Sequence, residues 1–273
     1  NTTRMHVESL FIFLTFLSIL FFWEGFVEGN DKYKLLTGFF LALTFLTKFT
    51  ASLTILTMIL FLFITKKFAI LKAKHAWCGG LILFLTLLPY LIWSKVKFGS
   101  YLIFLRGSEE VSSLLSGQEI SHNFGWYILK FIPSFTQTLF FILFLIGILT
   151  LYKLIIGFDI IIKNEVKEQR GNLFITLLLL VNLVFFIFIQ RIAEDRWLMP
   201  ASISMFIFVA LGLVFIHEIL MKMNLPTKVA TVFILIILSI GMGLQISQAD
   251  TAIKSKTSTY IQVKQAALWM MEN

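Results

Sequence analysis

The chain has 273 residues, of which 58% are hydrophobic and 14% are charged, and its mean hydropathy is +0.90. Soluble globular domains contain about 45–50% apolar and about 25% charged residues. This composition excludes a cytosolic enzyme, a nucleic-acid-binding module and a disordered chain. It predicts an all-α polytopic membrane protein, so the net charge of +8 is interpreted as a signal of membrane topology rather than of nucleic-acid binding.

Seven apolar runs are long enough to be membrane spans, since a crossing helix needs about 20 residues, with a range of about 17–25. The runs, in chain order, are Ser9–Val27, Leu35–Ile64, Trp77–Trp93, Tyr127–Tyr152, Leu173–Gln190, Leu198–Ile216 and Val229–Ile246. Asn1 is not a start methionine, so we interpret the sequence as an internal fragment of a longer protein.

The run Leu35–Ile64 is too long for one crossing. A single helix would be about 45 Å long at about 1.5 Å per residue, whereas the hydrocarbon core is about 30 Å thick. Lys48 lies near its centre, where a lysine costs about 2.5–3.5 kcal/mol on insertion scales. We predict two short crossings that meet at Lys48–Thr50 near the outer face, which gives about eight transmembrane helices. One long tilted helix with Lys48 facing the bundle is the alternative.

Basic residues orient the spans, because short cytoplasmic loops carry an excess of Lys and Arg. Alternation of the spans puts three basic clusters on one face, which is taken as cytoplasmic: Lys66, Lys67, Lys72 and Lys74; Lys153, Lys163, Lys167 and Arg170; Lys222 and Lys228. Two crossings in Leu35–Ile64 add Lys32 and Lys34 to this face. The outer face then receives the loop Ser94–Trp126, the loop Arg191–Trp197 and the tail.

The tail differs from the rest of the chain. Hydropathy drops from Ser247, and apolar side chains then recur at helical spacing: Tyr260, Val263, Ala267 and Met270. We therefore predict a transmembrane domain over residues 1–247. Residues 248–273 are either an amphipathic helix on the membrane surface or the start of an extracytoplasmic domain.

Ionisable residues at the outer ends of the spans are the candidate functional residues. Arg4, His6 and Glu8 precede the first span, where a carboxylate is also favoured simply as a helix cap. Lys48 is either a cation that binds phosphate or a lysine whose stem carries its charge to the interface. The four histidines are scattered, and Cys78 is the single cysteine, so neither type indicates a metal site.

Two outer loops add further candidates. Arg191, Asp195 and Arg196 lie between two apolar runs, where a solvated hairpin with ion pairs of roughly 0–1 kcal/mol each is the simpler interpretation. Arg106 lies in the loop Ser94–Trp126, and loops of this length are often functional lids.

The sequence at these places resembles the GT-C superfamily of membrane glycosyltransferases. The closest branch is that of the dolichyl-phosphate-mannose protein mannosyltransferases and the lipid A aminoarabinose transferase. Four segments carry the resemblance in the family's order over essentially the whole chain: TRMHVESLFIFLTFLSI, LLTGFFLALTFLTKFTASL, EDRWLMPASISMFIFVALGL and YIQVKQAALWMMEN. Trp197 stands where the family usually has Tyr, so this position has no hydroxyl to offer a phosphate.

The resemblance implies transfer of a sugar from a polyprenyl-phosphate-linked donor to an acceptor hydroxyl on a protein, lipid or glycan. The reaction is expected at the outer face of a prokaryotic cell membrane. Lys48 and Arg196, then Arg4, are the expected cations for the donor phosphate. Glu8 is expected to support the site by orienting the acceptor or a divalent metal. The family's main base lies in the first external loop, which we expect upstream of Asn1, so the fragment alone should be inactive.

The secondary site candidates are His6, Arg191, Asp195 and Arg106. Two other function classes stay open: a membrane transporter or lipid flippase, and a non-catalytic membrane subunit. A transporter should show internal repeats and charged or interrupted helices at the middle of the membrane. The charges in this sequence gather at span ends, which favours chemistry at the interface.

Overall fold

The computed structural model describes residues 7–66, 74–101, 124–151, 167–190 and 195–272. These residues form helices and no strand, which confirms the all-α prediction for this part of the chain. Five of the described helices are long and apolar enough to cross a membrane: Glu8–Val27, Lys74–Phe98, Arg170–Phe188, Pro200–Lys222 and Thr227–Thr251. The fold is therefore that of an all-α polytopic membrane protein, while the total of about eight crossings stays a prediction.

Eight main helices are found in the described ranges and are numbered in chain order. They are α1 Val7–Phe22, α2 Asp31–Thr47, α3 Ala51–Lys66, α4 Lys74–Phe98, α5 Thr138–Leu149, α6 Lys167–Val184, α7 Asp195–Lys222 and α8 Thr227–Glu272. Two of them continue as π-helical turns, α1 through Trp23–Val27 and α6 through Phe185–Gln190.

The chain forms two compact units. The first contains Asn1–Tyr127 and Leu151–Ile207, and the second contains Ile128–Thr150 and Phe208–Asn273. Within the first unit, α2 packs against both α1 and α4, and α3 packs against α6. Aromatic rings pack closely on α6, where the ring centre of Phe174 lies 5.4 Å from that of Phe22 on α1 and 5.3 Å from that of Phe61 on α3.

The long apolar run breaks where its lysine predicts. The helix α2 ends at Thr47, Lys48 is extended with φ −157° and ψ 127°, and α3 begins at Ala51. The backbone carbonyl groups of residues 48–50 accept hydrogen bonds from the N–H groups of residues 51–53 at 3.0–3.1 Å. The break is thus confirmed, and the alternative of one continuous helix is wrong. That each half crosses the membrane separately remains a prediction.

The predicted span Tyr127–Tyr152 is wrong as one continuous helix, because the structure interrupts it at Gln137. Gln137 has a φ of 56°, and its side chain accepts a hydrogen bond from the N–H of Leu139 at 2.7 Å. Pro133, just before the break, has no N–H to donate to the carbonyl four residues earlier. Apolar composition alone therefore overstated the continuity of this run.

The last two helices are longer than their apolar runs. The helix α7 begins at Asp195 rather than Leu198, which places Pro200 in its second turn and leaves the carbonyl of Arg196 without its usual N–H donor. The helix α8 has 46 residues and a length of about 69 Å, about twice the thickness of the hydrocarbon core. It runs unbroken past residue 247, so the division into two domains at 247/248 stays a prediction.

Candidate functional site

Two residues predicted for the site, Glu8 and Lys48, lie side by side. Glu8 is in the first turn of α1, and Lys48 directly follows α2. The helices α1 and α2 run in opposite directions because residues 28–30 alone connect the end of the π-helical turn to α2. The start of α1 therefore meets the end of α2, and Nζ of Lys48 lies 3.9 Å from Oε1 of Glu8.

The surroundings of this pair favour both charges. The side chains of Lys48 and Glu8 are 13% and 22% exposed, so both are largely shielded and yet accessible. The position of Glu8 at a helix N-terminus stabilises its carboxylate through the helix dipole. The ammonium nitrogen of Lys48 also lies 5.8 Å from the ring centre of Phe11, within the range of a cation–π interaction.

The contact between Lys48 and Glu8 is an ion pair rather than a hydrogen bond. Its distance of 3.9 Å is longer than a hydrogen bond of about 2.7–3.2 Å, so the attraction between the two side chains is electrostatic. A lysine ammonium carries three donors and no acceptor, which suits it to the oxygens of a phosphate. The pair thus places a positive charge at the helix break, where an anion can bind.

Two buried threonines that follow Lys48 along the chain were missed by the sequence analysis. Thr50 and Thr54 are 1% and 0% exposed, and their hydroxyl groups have no hydrogen-bond partner within the described structure. Other helix threonines bond to the carbonyl four residues earlier, as Thr44 and Thr57 do at 2.7 and 2.8 Å. The four-residue spacing of Thr50 and Thr54 directly after Lys48 was the available signal. These hydroxyls are candidate polar groups for the site.

The other predicted site residues fall where the structure describes no side chain. Arg4, His6, Arg106 and Arg191 lie outside the described residues. Asp195 and Arg196 belong to the first turn of α7, but their side chains also lie outside the description. The structure therefore joins Glu8 with Lys48, and a site that these residues share with Arg4 and Arg196 remains a prediction.

In the described residues, the carboxylate of Glu8 beside Lys48 is not part of a metal-binding cluster. No group of three or more His, Cys, Asp or Glu side chains that could hold a metal ion is found in the described ranges.

A second charged group lies at the opposite end of α2. Asp31 accepts a hydrogen bond from Lys34 at 2.5 Å and lies 3.2 Å from Nε2 of His75. The hydrogen bond from Lys34 holds the pKa of the Asp31 carboxyl below its ordinary value of 3.8. Since α2 has 17 residues and a length of about 26 Å, this group and the Glu8–Lys48 pair are separated by nearly the thickness of a hydrocarbon core.

This second group contains part of the predicted cytoplasmic basic face. Lys66, at the end of α3, donates a hydrogen bond to the backbone carbonyl of Phe26. It also interacts electrostatically with Lys34 and Arg170. The structure thus brings together basic residues of three helices at one end, as alternation of the helices predicts. The side of the membrane that this end faces stays a prediction.

These features define a polytopic α-helical membrane protein with a Glu–Lys pair at one end of its first helices and a basic cluster at the other. Residues 1–93, about a third of the chain, match the family model of dolichyl-phosphate-mannose-protein mannosyltransferases. The matched part contains Glu8, Lys48 and the helix break. The match supports a GT-C superfamily membrane glycosyltransferase of mannosyltransferase type. No curated protein matches the chain. No solved structure matches it.

Proposed function

We propose that the chain is part of a glycosyltransferase that moves a sugar from a polyprenyl-phosphate-linked donor to an acceptor hydroxyl at the outer face of the membrane. The observation that carries this proposal is the Glu8–Lys48 pair at 3.9 Å, formed by two segments that both lie in the family match. The acceptor belongs to a protein, a lipid or a glycan, and the membrane is that of a prokaryotic cell.

The reaction needs a positive charge at the donor phosphate. The acceptor oxygen attacks the anomeric carbon of the sugar, and the bond between that carbon and the phosphate oxygen breaks. The acceptor proton passes to a carboxylate base, and the polyprenyl phosphate leaves with an additional negative charge. Lys48 stabilises that charge, and Arg196 and Arg4 are proposed to assist it.

The place of the pair suits a donor with a lipid tail. Lys48 lies at a break between two apolar helices, so a polyprenyl chain could remain in the lipid while its phosphate reaches the end of α2. Glu8 keeps the ammonium of Lys48 at this position before the donor arrives, and it can then orient the acceptor hydroxyl.

The decisive experiment uses the full-length protein reconstituted in vesicles with radiolabelled dolichyl-phosphate mannose, undecaprenyl-phosphate mannose and undecaprenyl-phosphate aminoarabinose. Lys48→Met should lower sugar transfer about 10²–10³-fold, as the loss of one preorganised donor to a developing negative charge does in other enzymes. Lys48→Arg should retain part of the activity, because it keeps the charge. Lys254→Met, which removes an exposed lysine paired with Asp250, is the matched control.

Transfer by Lys48→Met at the parental rate, with parental expression and stability, would exclude Lys48 from the phosphate site. A different outcome is that the parental protein transfers sugar from none of the three donors but moves a labelled donor lipid across the vesicle membrane. The protein would then be a flippase rather than a glycosyltransferase. Absence of both activities would favour the non-catalytic subunit.

A further inference from the structure

A cavity lies in the second unit, between the start of α5 and the middle of α8. Its volume is about 630 Å³, and both polar and apolar residues line it, among them Pro133, Gln137, Thr138, Leu139, Leu244 and Gln248. The two helices are in close contact at this level, because a Cβ atom placed on Gly241 of α8 would overlap the ring of Phe140 on α5. The cavity is therefore formed within one unit of the chain.

Gln137 is a buried residue in the lining of this cavity, and half of its amide group has no partner. The residue is 7% exposed. Its side-chain oxygen accepts a hydrogen bond from the N–H of Leu139 at 2.7 Å, whereas its Nε2 has no hydrogen-bond partner within the described structure. A buried donor without an acceptor is destabilising, so this amide indicates a ligand that supplies an acceptor.

The backbone of Gln137 is held in an unfavourable conformation. Its φ of 56° and ψ of 163° lie in a region that is populated essentially by glycine. Strained residues of this kind persist where the surrounding structure fixes them, and they are concentrated at ligand sites. The strain at Gln137 separates α5 from the helical turns before it, so that α5 begins at Thr138 in the lining of the cavity.

The start of α5 adds hydrogen-bond donors and a partial positive charge. The helix has 12 residues, and the N–H groups of a first turn have no partners within their own helix, so such a terminus attracts anions. The hydroxyl of Thr138 and the amide of Gln248 are further donors in the lining. The carboxylate of Asp250, two residues after Gln248, is neutralised by Lys254 at 2.6 Å, so its charge does not exclude an anion.

The apolar residues of the lining indicate that the anion is carried by a lipid. Ile142 and Leu244 line the cavity and are 48% and 49% exposed, so a hydrocarbon chain can contact both. The stretch Thr227–Thr251 of α8 is long and apolar enough to cross a membrane. Gln248 lies near the end of this stretch, which is where lipid headgroups meet a membrane helix.

We propose that the phosphodiester of a membrane phospholipid binds in this cavity. Its oxygens accept hydrogen bonds from the amide of Gln137 and from the N–H groups at the start of α5, and one acyl chain lies along Ile142 and Leu244. The lipid thus supplies the acceptor that Nε2 of Gln137 lacks. Every residue of this site belongs to the second unit, and the site does not depend on the Glu8–Lys48 pair or on the proposed sugar transfer.

Photochemical cross-linking to the full-length protein tests the need for a phosphate. Phosphatidylglycerol and diacylglycerol that carry the same diazirine-labelled acyl chain are added to the protein in dodecyl maltoside micelles, which contain no phosphate. Phosphatidylglycerol should label the peptides 133–142 and 241–250 at least about tenfold more than diacylglycerol, the difference expected for hydrogen bonds to a charged group. Inorganic phosphate should compete poorly, because it has no acyl chain.

Gln137→Glu tests the amide of the site. The substitution keeps the size of the side chain and the oxygen that caps α5, but it replaces the donor by a negative oxygen. Cross-linking by phosphatidylglycerol should fall at least about tenfold. Asn224→Asp is the matched control, because it makes the same change of an amide to a carboxylate at another residue with a positive φ, 60°, that does not line the cavity. It should leave the cross-linking unchanged.

Leu244→Trp tests the apolar part of the site without a change of charge. The larger side chain fills space beside the start of α5, so cross-linking should fall while the melting temperature stays close to that of the parent. Leu235→Trp is the matched control, because Leu235 lies on the same helix, is 54% exposed and does not line the cavity. It should bind the lipid like the parental protein.

Three results would overturn the proposal. The first is equal labelling of the two peptides by phosphatidylglycerol and diacylglycerol. The second is parental cross-linking in both Gln137→Glu and Leu244→Trp. The third is competition by inorganic phosphate as strong as that by unlabelled phosphatidylglycerol, which would assign the site to a soluble anion. If Gln137→Glu does not fold, the comparison of the two lipids and Leu244→Trp decide the question.

Discussion

A Cβ atom placed on Gly38 would overlap the carbonyl oxygen of Gly79, so α2 and α4 touch backbone to backbone at these two glycines. A Cβ atom on Gly79 would in turn lie 2.7 Å from the carbonyl oxygen of Lys34. Small residues at helix contacts are typical of membrane proteins, where close packing rather than the hydrophobic effect holds helices together. This contact fixes the helix that carries Lys48 at its end.

Gly38→Leu should separate α2 from α4, because the added side chain has no space at the contact. We expect a loss of about 1–3 kcal/mol, the usual cost of overpacking, observed as a lower apparent melting temperature of the full-length protein in detergent. Gly243→Leu, whose Cβ position is open, serves as the control. Equal melting temperatures for both variants would show that the two helices do not pack this closely.

Exchange of the charges of Glu8 and Lys48 distinguishes a structural ion pair from a functional one. Glu8→Lys and Lys48→Glu together restore an attraction between the two positions, but they place the carboxylate where the donor phosphate is expected. The double variant should therefore recover expression and stability relative to either single variant, while its sugar transfer stays at least about 10²-fold below the parent. Recovery of transfer along with stability would assign the pair a purely structural role.

The buried hydroxyl groups should differ in their effects on stability. The hydroxyls of Ser18 and Thr44 lie 3.1 Å apart and link α1 to α2, so Ser18→Ala should cost about 0.6 kcal/mol, the average for such bonds in a membrane protein. Thr54→Val removes a hydroxyl that has no hydrogen-bond partner in the described structure, so no bond is lost. Thermal melting should show a loss for Ser18→Ala alone, and a comparable loss for Thr54→Val would reveal a hidden partner.

Cysteine labelling from one side of sealed vesicles tests the predicted topology. Cys78 is exposed and must first be replaced by Ser. Single cysteines at Ser9 and Trp197, beside Glu8 and Arg196, should then react with an impermeant reagent from the same side. A cysteine at Lys74 should react from the other side. Labelling of Ser9→Cys and Trp197→Cys from opposite sides would show that Glu8 and Arg196 do not share one donor site.

The hydrogen bond from Lys34 to Asp31 should stabilise this end of α2, so Asp31→Asn is expected to lower the apparent melting temperature. The pKa of Asp31 is lowered below 3.8 by that hydrogen bond, so the stabilisation is present above this value and is lost only as the pH falls through the lowered pKa. The loss caused by Asp31→Asn should thus be the same at about pH 5 and about pH 8. It is measured in a His75→Gln background, because Nε2 of His75 lies 3.2 Å from the Asp31 carboxylate.

A loss of stability that is present at pH 8 and absent at pH 5 would show that Asp31 takes up its proton between these two values. That result would contradict a hydrogen bond from Lys34 to an ionised carboxylate.

Much of the fold followed from composition and from single residues. The excess of apolar residues required membrane helices, because a helix satisfies its own backbone hydrogen bonds in lipid. The cost of a lysine at the middle of the bilayer predicted the break at Lys48, and the structure has it there. These features depend on short stretches of sequence and on whether lipid or water surrounds them, so they can be predicted from the sequence. The interruption at Gln137 was missed, because the apolar composition of the whole run outweighed the local signals of Pro133, Thr136 and Thr138.

The amino-acid sequence by itself determined that this is a helical membrane protein, where its longest apolar run breaks, and that Glu8 and Lys48 were residues to consider. Only the tertiary structure decided that these two side chains lie 3.9 Å apart and that Gly38 meets Gly79. The reason is physical: periodicity and composition act within one helix, whereas contacts between distant segments depend on how helices pack against each other.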